Sequence, residues 1–399
     1  MTLDPYDVIV VGAGLPGLRV AGQLAEAGLR VAVFERRTIA SESSSLAAGH
    51  VPQRAWSRPV LDILRRSRRI VDELDARTGG LVRFNVVGGL MVSRVEANRA
   101  MLEAHWRELA EWGIASEMLE PTDVARRWPQ IRADDLATAH WTATDGFVRS
   151  LDLTTALAGV ARLAGAAIHE GATVDRIAVG DGGVKGVVVA GTRIRARRIV
   201  LAAGGWTRPL AEASGFSVPL RPFTLSIVML VGVPFPLPFI SELDTHLYTV
   251  QRSPGSLLVG LPPRLDVSPG EFPREAGAEE QADALRAIRH RIPGLSAAVA
   301  SGGWAGLLVS TPDGKALLGA HPDVPGVSLA TGFGGGGLQW VGAADAVADE
   351  ILGRTPFFDW SEHRAARFAG YRGDDFAFER HIPNFYDDAM TAGETPAIA

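Results

Sequence analysis

Six residues, Gly12-Ala13-Gly14-Leu15-Pro16-Gly17, constrain the fold more than any other part of this 399-residue chain. They follow directly on Val8-Ile9-Val10-Val11, a β-branched run of the kind buried on both faces of a parallel sheet. After them, Leu18, Ala21, Leu24 and Ala25 fall on one helical face, and Gly28 stands where a helix ends. A second strand, Val31 to Phe34, leads into Glu35, 18 positions after Gly17. Strand, glycine turn, helix, strand and acid in this register predict a βαβ unit that binds a dinucleotide. Gly12 allows the tight turn, Gly14 lets a pyrophosphate approach the backbone, and Gly17 lets helix and strand pack closely. The helix N-terminus offers N–H groups to phosphate, and Glu35 can accept from a ribose hydroxyl. Arg36 and Arg37 would suit an extra phosphate, but a carboxylate at Glu35 argues against one. Taken alone, the six residues would also serve a glycine-rich turn in another α/β protein.

Composition removes several chemistries. The chain has no cysteine, so disulfides, iron–sulfur clusters, thiolate zinc sites and thiol catalysis are excluded. A net charge of −5 gives no electrostatic reason to expect nucleic acid. Lys185 and Lys315 are the only lysines, which reads as codon bias and not as a binding surface. The most apolar stretch, Thr224 to Ile240, is broken by Pro234, Pro236 and Pro238 and is shorter than the ~20 residues a spanning helix needs. Met1 to Pro5 lacks the basic start of a signal peptide, so a cytoplasmic protein is expected. No metal-ligand cluster stands out.

Further on, residues from about Pro59 to Leu109 read as mostly helical, broken by a strand region at Val86 to Val92. Asp145-Gly146 opens a second α/β stretch with a helix at Leu153 to Leu163 and strands at Val174 to Val179, Gly186 to Val189 and Arg198 to Leu201. From Phe216 to about Ala300 the chain turns Pro-rich and β-like, with strands at Thr245 to Val250 and Ser256 to Leu261 and a helix near Glu279 to Arg291. Near the far end, the strand Val327 to Ala330 runs into Thr331-Gly332-Phe333-Gly334-Gly335-Gly336-Gly337, and Val341, Ala344, Val347, Ala348 and Ile351 then share one helical face. A second strand–glycine loop–helix unit suits a flavin, whose reduction places negative charge where loop N–H groups can stabilise it. A loop that merely lets helix and strand pack is the competing reading.

The ordered set, Gly12/Gly14/Gly17 with Glu35, Ser43 to Gly49, Ile199 to Trp206, Thr311-Pro312-Asp313-Gly314-Lys315 and Thr331 to Gly337, resembles the FAD-dependent D-amino-acid oxidase superfamily. It is most similar to the branch of sarcosine oxidases, glycine oxidases and proline-dehydrogenase-type subunits. Tyr248-Thr249-Val250-Gln251 and Trp304-Ala305-Gly306-Leu307 resemble the β-subunit type. The resemblance covers roughly residues 6 to 355. It implies an α/β plus α+β chain: a discontinuous Rossmann-type FAD domain (residues 1–85, 145–215 and 301–372) and a largely antiparallel substrate domain (86–144 and 216–300), with a tail at 373–399. It also implies noncovalent FAD, since Leu46 stands where some relatives carry a flavin-bonded histidine; His50 is near but out of register. The residues expected around the cofactor are Gly12, Gly14, Leu15, Pro16, Gly17, Glu35, Arg36, Ser44, Ser45, Ala48, Gly49, Val174, Ala203, Gly204, Trp206, Gly334, Gly335, Gly336, Gly337, Leu338 and Gln339.

The activity implied is oxidation of a C–N bond in an amine or amino acid, with a secondary or N-alkyl amine favoured. Hydride passes to flavin N5, the imine hydrolyses, and O2 or another acceptor takes the electrons. Such chemistry asks for orientation and a dry site more than for a catalytic base, and no catalytic residue is assigned. Polar groups of the family are absent at four positions: Leu308 replaces a carboxylate-binding arginine, Gln339 a basic residue, Gly336 a histidine, and about Leu258 an oxygen-activating lysine. Either the carboxylate is bound by Arg54 or Arg221, or the substrate is a larger, less polar amine. His50, Arg54, Tyr248, Gln251, Leu308, Gln339 and Trp340 are the substrate-pocket candidates. A flavin monooxygenase of aromatic substrates shares the N-terminal signature but carries Gly-Asp where this chain has Gly332-Phe333-Gly334. A flavin-binding subunit of a larger complex, or an oligomer, is the other alternative.

Overall fold

A computed structural model describes residues 5–264, 267–336 and 338–372. The opening unit forms as expected: β1 (Tyr6–Val11), α1 (Leu15–Glu26) and β2 (Val31–Phe34), with β1 and β2 parallel. These strands lie at the centre of an eight-stranded sheet. β1 is flanked on its other side by the strand Thr192–Leu201, whose second half also pairs in parallel with Val327–Thr331. The first half of Thr192–Leu201 belongs instead to an antiparallel meander with Gly183–Val189 and Val174–Gly180. The C-terminal ends of β1, Thr192–Leu201 and Val327–Thr331 therefore meet at one edge, where open α/β sheets bind ligands. Valines, isoleucines and leucines fill both faces of these strands, and Val8, Ile9 and Val10 are fully buried.

A second eight-stranded sheet runs in the order Val299–Ser310, Arg221–Val233, Gly255–Gly260, Tyr248–Val250, Phe239–Glu242, Gly89–Ser93, Thr138–Thr142 and Glu117–Leu119. All its pairings are antiparallel except Phe239–Glu242 with Gly89–Ser93. Its own core, around Leu90, Leu230, Val259 and Ile288, is closed by the helix Ala278–Arg291. The expected boundary at 301 falls inside the strand Val299–Ser310, which pairs with Arg221–Val233 along most of its length. The chain thus leaves the second sheet only after Ser310. A small sheet of His50–Val51, Gly146–Phe147 and Asn85–Val86 ties the two larger ones together.

Two local expectations need correction. The strand placed at Thr245 to Val250 begins only at Tyr248, because His246 adopts a left-handed backbone (φ 55°) in the turn before it. The helix after the second glycine loop is not continuous: a 3-10 turn, Gln339–Ala343, precedes the α-helix Ala344–Ile351. Gly342 packs where a side chain would strike the backbone of Ile63, and that close approach tightens the turn. Among the described residues no helix is long and apolar enough to cross a membrane. The tail at 373–399 and Gly337 lie outside the described residues.

Candidate active site

The site grows from the end of β1. Gly12 has φ 107°, and a Cβ there would sit 2.5 Å from the carbonyl oxygen of Ala202. A Cβ on Gly17 would sit 2.1 Å from the carbonyl oxygen of Gly12, and one on Gly14 would sit 2.8 Å from Ser44 Oγ. All three glycines hold backbone where side chains have no room. The N-cap residue Gly14 has no side chain to cap α1, and Leu15 N–H donates to Ser44 Oγ at 3.0 Å. Glu35 is set at the end of β2 by accepting from Ala13 N–H (2.9 Å) and Arg37 N–H (3.0 Å). The Arg36 guanidinium lies 3.7 Å above the Trp206 ring and pairs with Glu42, which also holds Arg274.

From this cradle a cavity of about 480 Å³ runs toward the second sheet, within the ~300–1,000 Å³ usual for cofactor and ligand sites. One end is bounded by Phe34, Glu35, Thr173, Val174 and Asp175, the middle by the glycine turn with Ser44 and Gly204. The other end is bounded by Ala48, Gly49, His50 and Gly334 to Gly336 on one side and by Leu225, Ile227, Phe239, His246, Tyr248 and Leu308 on the other. The segment through Gly49 is pinned from the second sheet: Trp304 Nε1–H donates to Leu46 carbonyl (2.8 Å), and Arg252 donates to the carbonyls of Ala48 (2.9 Å) and Ala47. Gly49 itself has φ 96°, and a Cβ there would strike Val148 carbonyl. A slot with a glycine-led helix N-terminus at its middle and an acceptor carboxylate near one end fits a dinucleotide.

Most residues expected around the cofactor line this slot, with four exceptions. Leu15 is turned into the hydrophobic core and only its amide is near. Gly17 serves packing, and Ser45 donates its hydroxyl to the carbonyls of Ala40 and Glu42. Gly337 is outside the described residues. At the second glycine loop the amides are also less available than expected. Gly334 N–H donates to Val309 carbonyl (3.0 Å) in the strand Val299–Ser310, and Gly336 N–H closes the turn on Phe333 carbonyl (3.3 Å).

The substrate-pocket candidates divide. His50, Tyr248, Leu308 and Gln339 line the slot. Gln251 does not: its side chain accepts from Leu237 N–H and donates to Phe235 carbonyl, fastening a proline-rich turn. Trp340 packs near Phe333 and His363 beside a smaller cavity of about 150 Å³ on the other side of the glycine loop. Arg54 lies on that smaller cavity as well and is 6% exposed, 3.2 Å from Asp145. Arg221 opens the strand Arg221–Val233 and lines neither cavity. Leu258 is buried in a cluster with Ala48, Phe147, Ile227, Phe239 and Val250.

Three residues near the end of the slot that the second sheet borders were not singled out from sequence. Phe239 stacks flat on His50, with ring centroids 3.5 Å apart. His246 enters the slot from the strained turn before Tyr248. Asp145, fully buried, stands between Arg54 and His50, its Oδ2 3.2 Å from the former and 3.4 Å from the latter. The only sequence signal for Asp145 is the Asp145-Gly146 pair between apolar runs. Burial lowers the His50 pKa below its ordinary value, although Asp145 opposes that shift. Asp145 stays below the usual carboxylate range because Arg54 and His50 outweigh its burial.

Comparison with known proteins agrees with this geometry. The family described as FAD dependent oxidoreductase (DAO) matches residues 7–350. The glycine oxidase of Geobacillus kaustophilus is 30% identical, over 92% of this chain and 98% of that protein. Its crystal structure superposes with a TM-score of 0.81 at 27% identity, covering 95% of this chain and all (100%) of that one. The 4-methylaminobutanoate oxidase (formaldehyde-forming) of Paenarthrobacter nicotinovorans is 28% identical over 92% of this chain but only 46% of its own length, so this chain corresponds to about half of that longer protein. L-proline dehydrogenase from P. horikoshii shares the fold, with a TM-score of 0.83 at 21% identity over 92% of this chain and 98% of that one.

Proposed function

The chain belongs to the family of FAD-dependent oxidoreductases, and on that premise we propose that it oxidises a C–N bond of an apolar secondary or N-alkyl amine that brings no carboxylate to the pocket. The observation that carries this reading is the lining of the substrate end. Phe223, Leu225, Ile227, Phe239, Leu261 and Leu308 line it beside His50, His246 and Tyr248, and among the described residues no lysine or arginine lines that end. A substrate carboxylate there would be desolvated without a cation, which is costly, whereas an alkyl or aryl group gains about 25 cal/mol per Å² of buried surface. The names of the glycine oxidase and methylaminobutanoate oxidase relatives support an amine as the reacting group. The departure at Leu308 supports a different remainder of the molecule.

In this reading Gly12, Gly14, Ser44 and the start of α1 hold the diphosphate of FAD, Glu35 holds the ribose, and Val174 borders the adenine. Ala48, Gly49 and Gly334 to Gly336 flank the flavin, with Leu46 offering no atom for a covalent link. Bound FAD supplies the two-electron acceptor. The protein's part is to hold the amine against the wall of Tyr248 and Phe239, exclude water through the apolar strand faces, and keep the amine uncharged. The test is anaerobic visible spectroscopy with N-methylbenzylamine, sarcosine and glycine. Faster bleaching of the flavin by N-methylbenzylamine than by the two amino acids is expected. Bleaching by NADPH alone would overturn the amine reading in favour of a monooxygenase. Admitting air after bleaching then tells oxidase from dehydrogenase.

A further inference from the structure

His50 sits at the junction of everything the substrate end is made of. It belongs to the short strand His50–Val51, which pairs with Gly146–Phe147. Its ring is clamped flat against Phe239 from the second sheet, an interplanar angle of 3°. It shares the walls of both cavities. One ring nitrogen, Nε2, is closed off from solvent and faces the Asp145 carboxylate at 3.4 Å without a completed hydrogen bond. A distance of that kind in a site without substrate commonly tightens when the site is filled.

The carboxylate is built into place. Asp145 is fully buried, and its Oδ1 accepts from Gln53 N–H at 2.8 Å. Its Oδ2 points between Arg54 and His50, and the neighbouring strand carries glycine at residue 89, where a Cβ would lie 2.2 Å from that oxygen. Arg54 in turn donates to Gly89 carbonyl and Thr142 Oγ1. The charged groups beside His50 are Asp145 and Arg54, with Tyr248 one ring further out beyond Phe239 and His246 bordering the same end of the slot. Arg252 faces the preceding residues and is occupied by the Ala47 and Ala48 carbonyls. Burial, joined by the Arg54 charge, outweighs the pull of Asp145, so His50 rests as a neutral imidazole. An acceptor at Nε2 sets the tautomer with Nε2–H toward Asp145, which leaves the lone pair on Nδ1.

Resting on the amine reading above, we propose that His50, oriented by Asp145, takes the ammonium proton of the substrate so that the amine reacts uncharged. A secondary amine is protonated near neutrality, its pKa lying near the ~10.4 of a lysine ammonium, and an ammonium has no lone pair with which to form the imine. In the step, the N–H bond of the ammonium breaks and an N–H bond forms at His50 Nδ1. The positive charge moves to the imidazolium, which Asp145 holds, and the proton then leaves to solvent. No electrons are exchanged. Asp145 is a positioning residue, since it acts only through His50.

The experiment compares the wild type with His50→Gln, loaded with FAD, by anaerobic stopped-flow bleaching with N-methylbenzylamine from about pH 7 to about pH 10. A general base contributes about 100-fold or more. The variant is expected to bleach ~100-fold slower near pH 7 and to recover to within a few-fold near pH 10, where the amine reaches the site already neutral. Equal loss at every pH, or no loss at all, overturns the proposal while leaving the amine reading intact. If no amine bleaches the wild type, the amine reading fails and the proposal falls with it. A second readout needs no turnover: nitrogen-15 ring shifts of His50 should show the Nε2–H tautomer in the wild type and lose it in Asp145→Asn. A charged ring or an Nδ1–H tautomer in the wild type overturns the proposal directly.

Discussion

Replacing His105 by phenylalanine should make the protein more resistant to acid, by about 2 kcal/mol at pH 5. His105 is 3% exposed, its ring stacks on Trp56 with centroids 3.9 Å apart, and neither ring nitrogen has a hydrogen-bond partner. Burial, reinforced by the nearby Arg54 charge, pushes its pKa down to about 3. His140, beside it, is also pushed down to about 3, and His363 to about 4. All three start from an ordinary value of 6.5. Above that value each imidazole is neutral whether the chain is folded or not, so none affects the pH dependence. Between it and the depressed folded value, only the unfolded chain takes up the proton, and stability falls as pH falls. At pH 5 the loss is about 1.36 × 1.5, or ~2 kcal/mol per histidine, and ~6 kcal/mol for the three. That rivals the whole ~5–15 kcal/mol of a typical domain. The depressed aspartates Asp145 and Asp313 act in the same direction but in a lower window, below the ordinary carboxylate pKa of 3.8. Urea unfolding followed by tryptophan fluorescence between about pH 7.5 and 5 separates these contributions. His105→Phe, which keeps the stack on Trp56, should match the wild type at the upper end and exceed it by ~2 kcal/mol at the lower. An unchanged pH slope, or a loss of equal size at every pH, would refute the reasoning.

Gly17→Ala places a Cβ against the backbone oxygen of Gly12, which cannot move aside without unseating α1. The purified variant should lose most of its visible flavin absorbance and not regain it on dialysis against FAD. Gly89→Ala drives a methyl into the Asp145 carboxylate; overpacking of this kind costs about 1–3 kcal/mol, to be read as a lowered thermal midpoint. Arg291→Met removes a fully buried guanidinium that holds Glu242 (2.5 Å) and Asp135 (2.7 Å). Leaving the buried Glu242 unpaired should cost about 3–5 kcal/mol, and Arg291→Met combined with Glu242→Leu should recover much of it.

The dinucleotide unit was legible because its evidence is local. A glycine that must let a helix approach a strand is a one-residue requirement, and Gly12, Gly14 and Gly17 lie within six residues of one another. The apolar end of the slot was legible in part, through Leu308 in an expected arginine position, and the structure lines the slot with that leucine. Gln251 and Trp340 were misplaced because their spacing to Tyr248 and Gln339 says nothing of which way the backbone turns them. Gln251 points back to its own hairpin, and Trp340 faces the far side of the glycine loop.

By itself, the sequence determined the family and the cofactor class through an ordered set of motifs that resembles known proteins, and the alternation of α/β with β-rich stretches through residue types read against a period of 2 or 3.6. Tertiary structure alone decided that Asp145 would meet His50 and Arg54, and that Phe239 would cover His50. These contacts join segments about 90 to 190 residues apart, through the short three-stranded sheet and the edge of the large one. No local pattern encodes such a meeting. A buried carboxylate is chosen by the partners that the finished fold brings within reach.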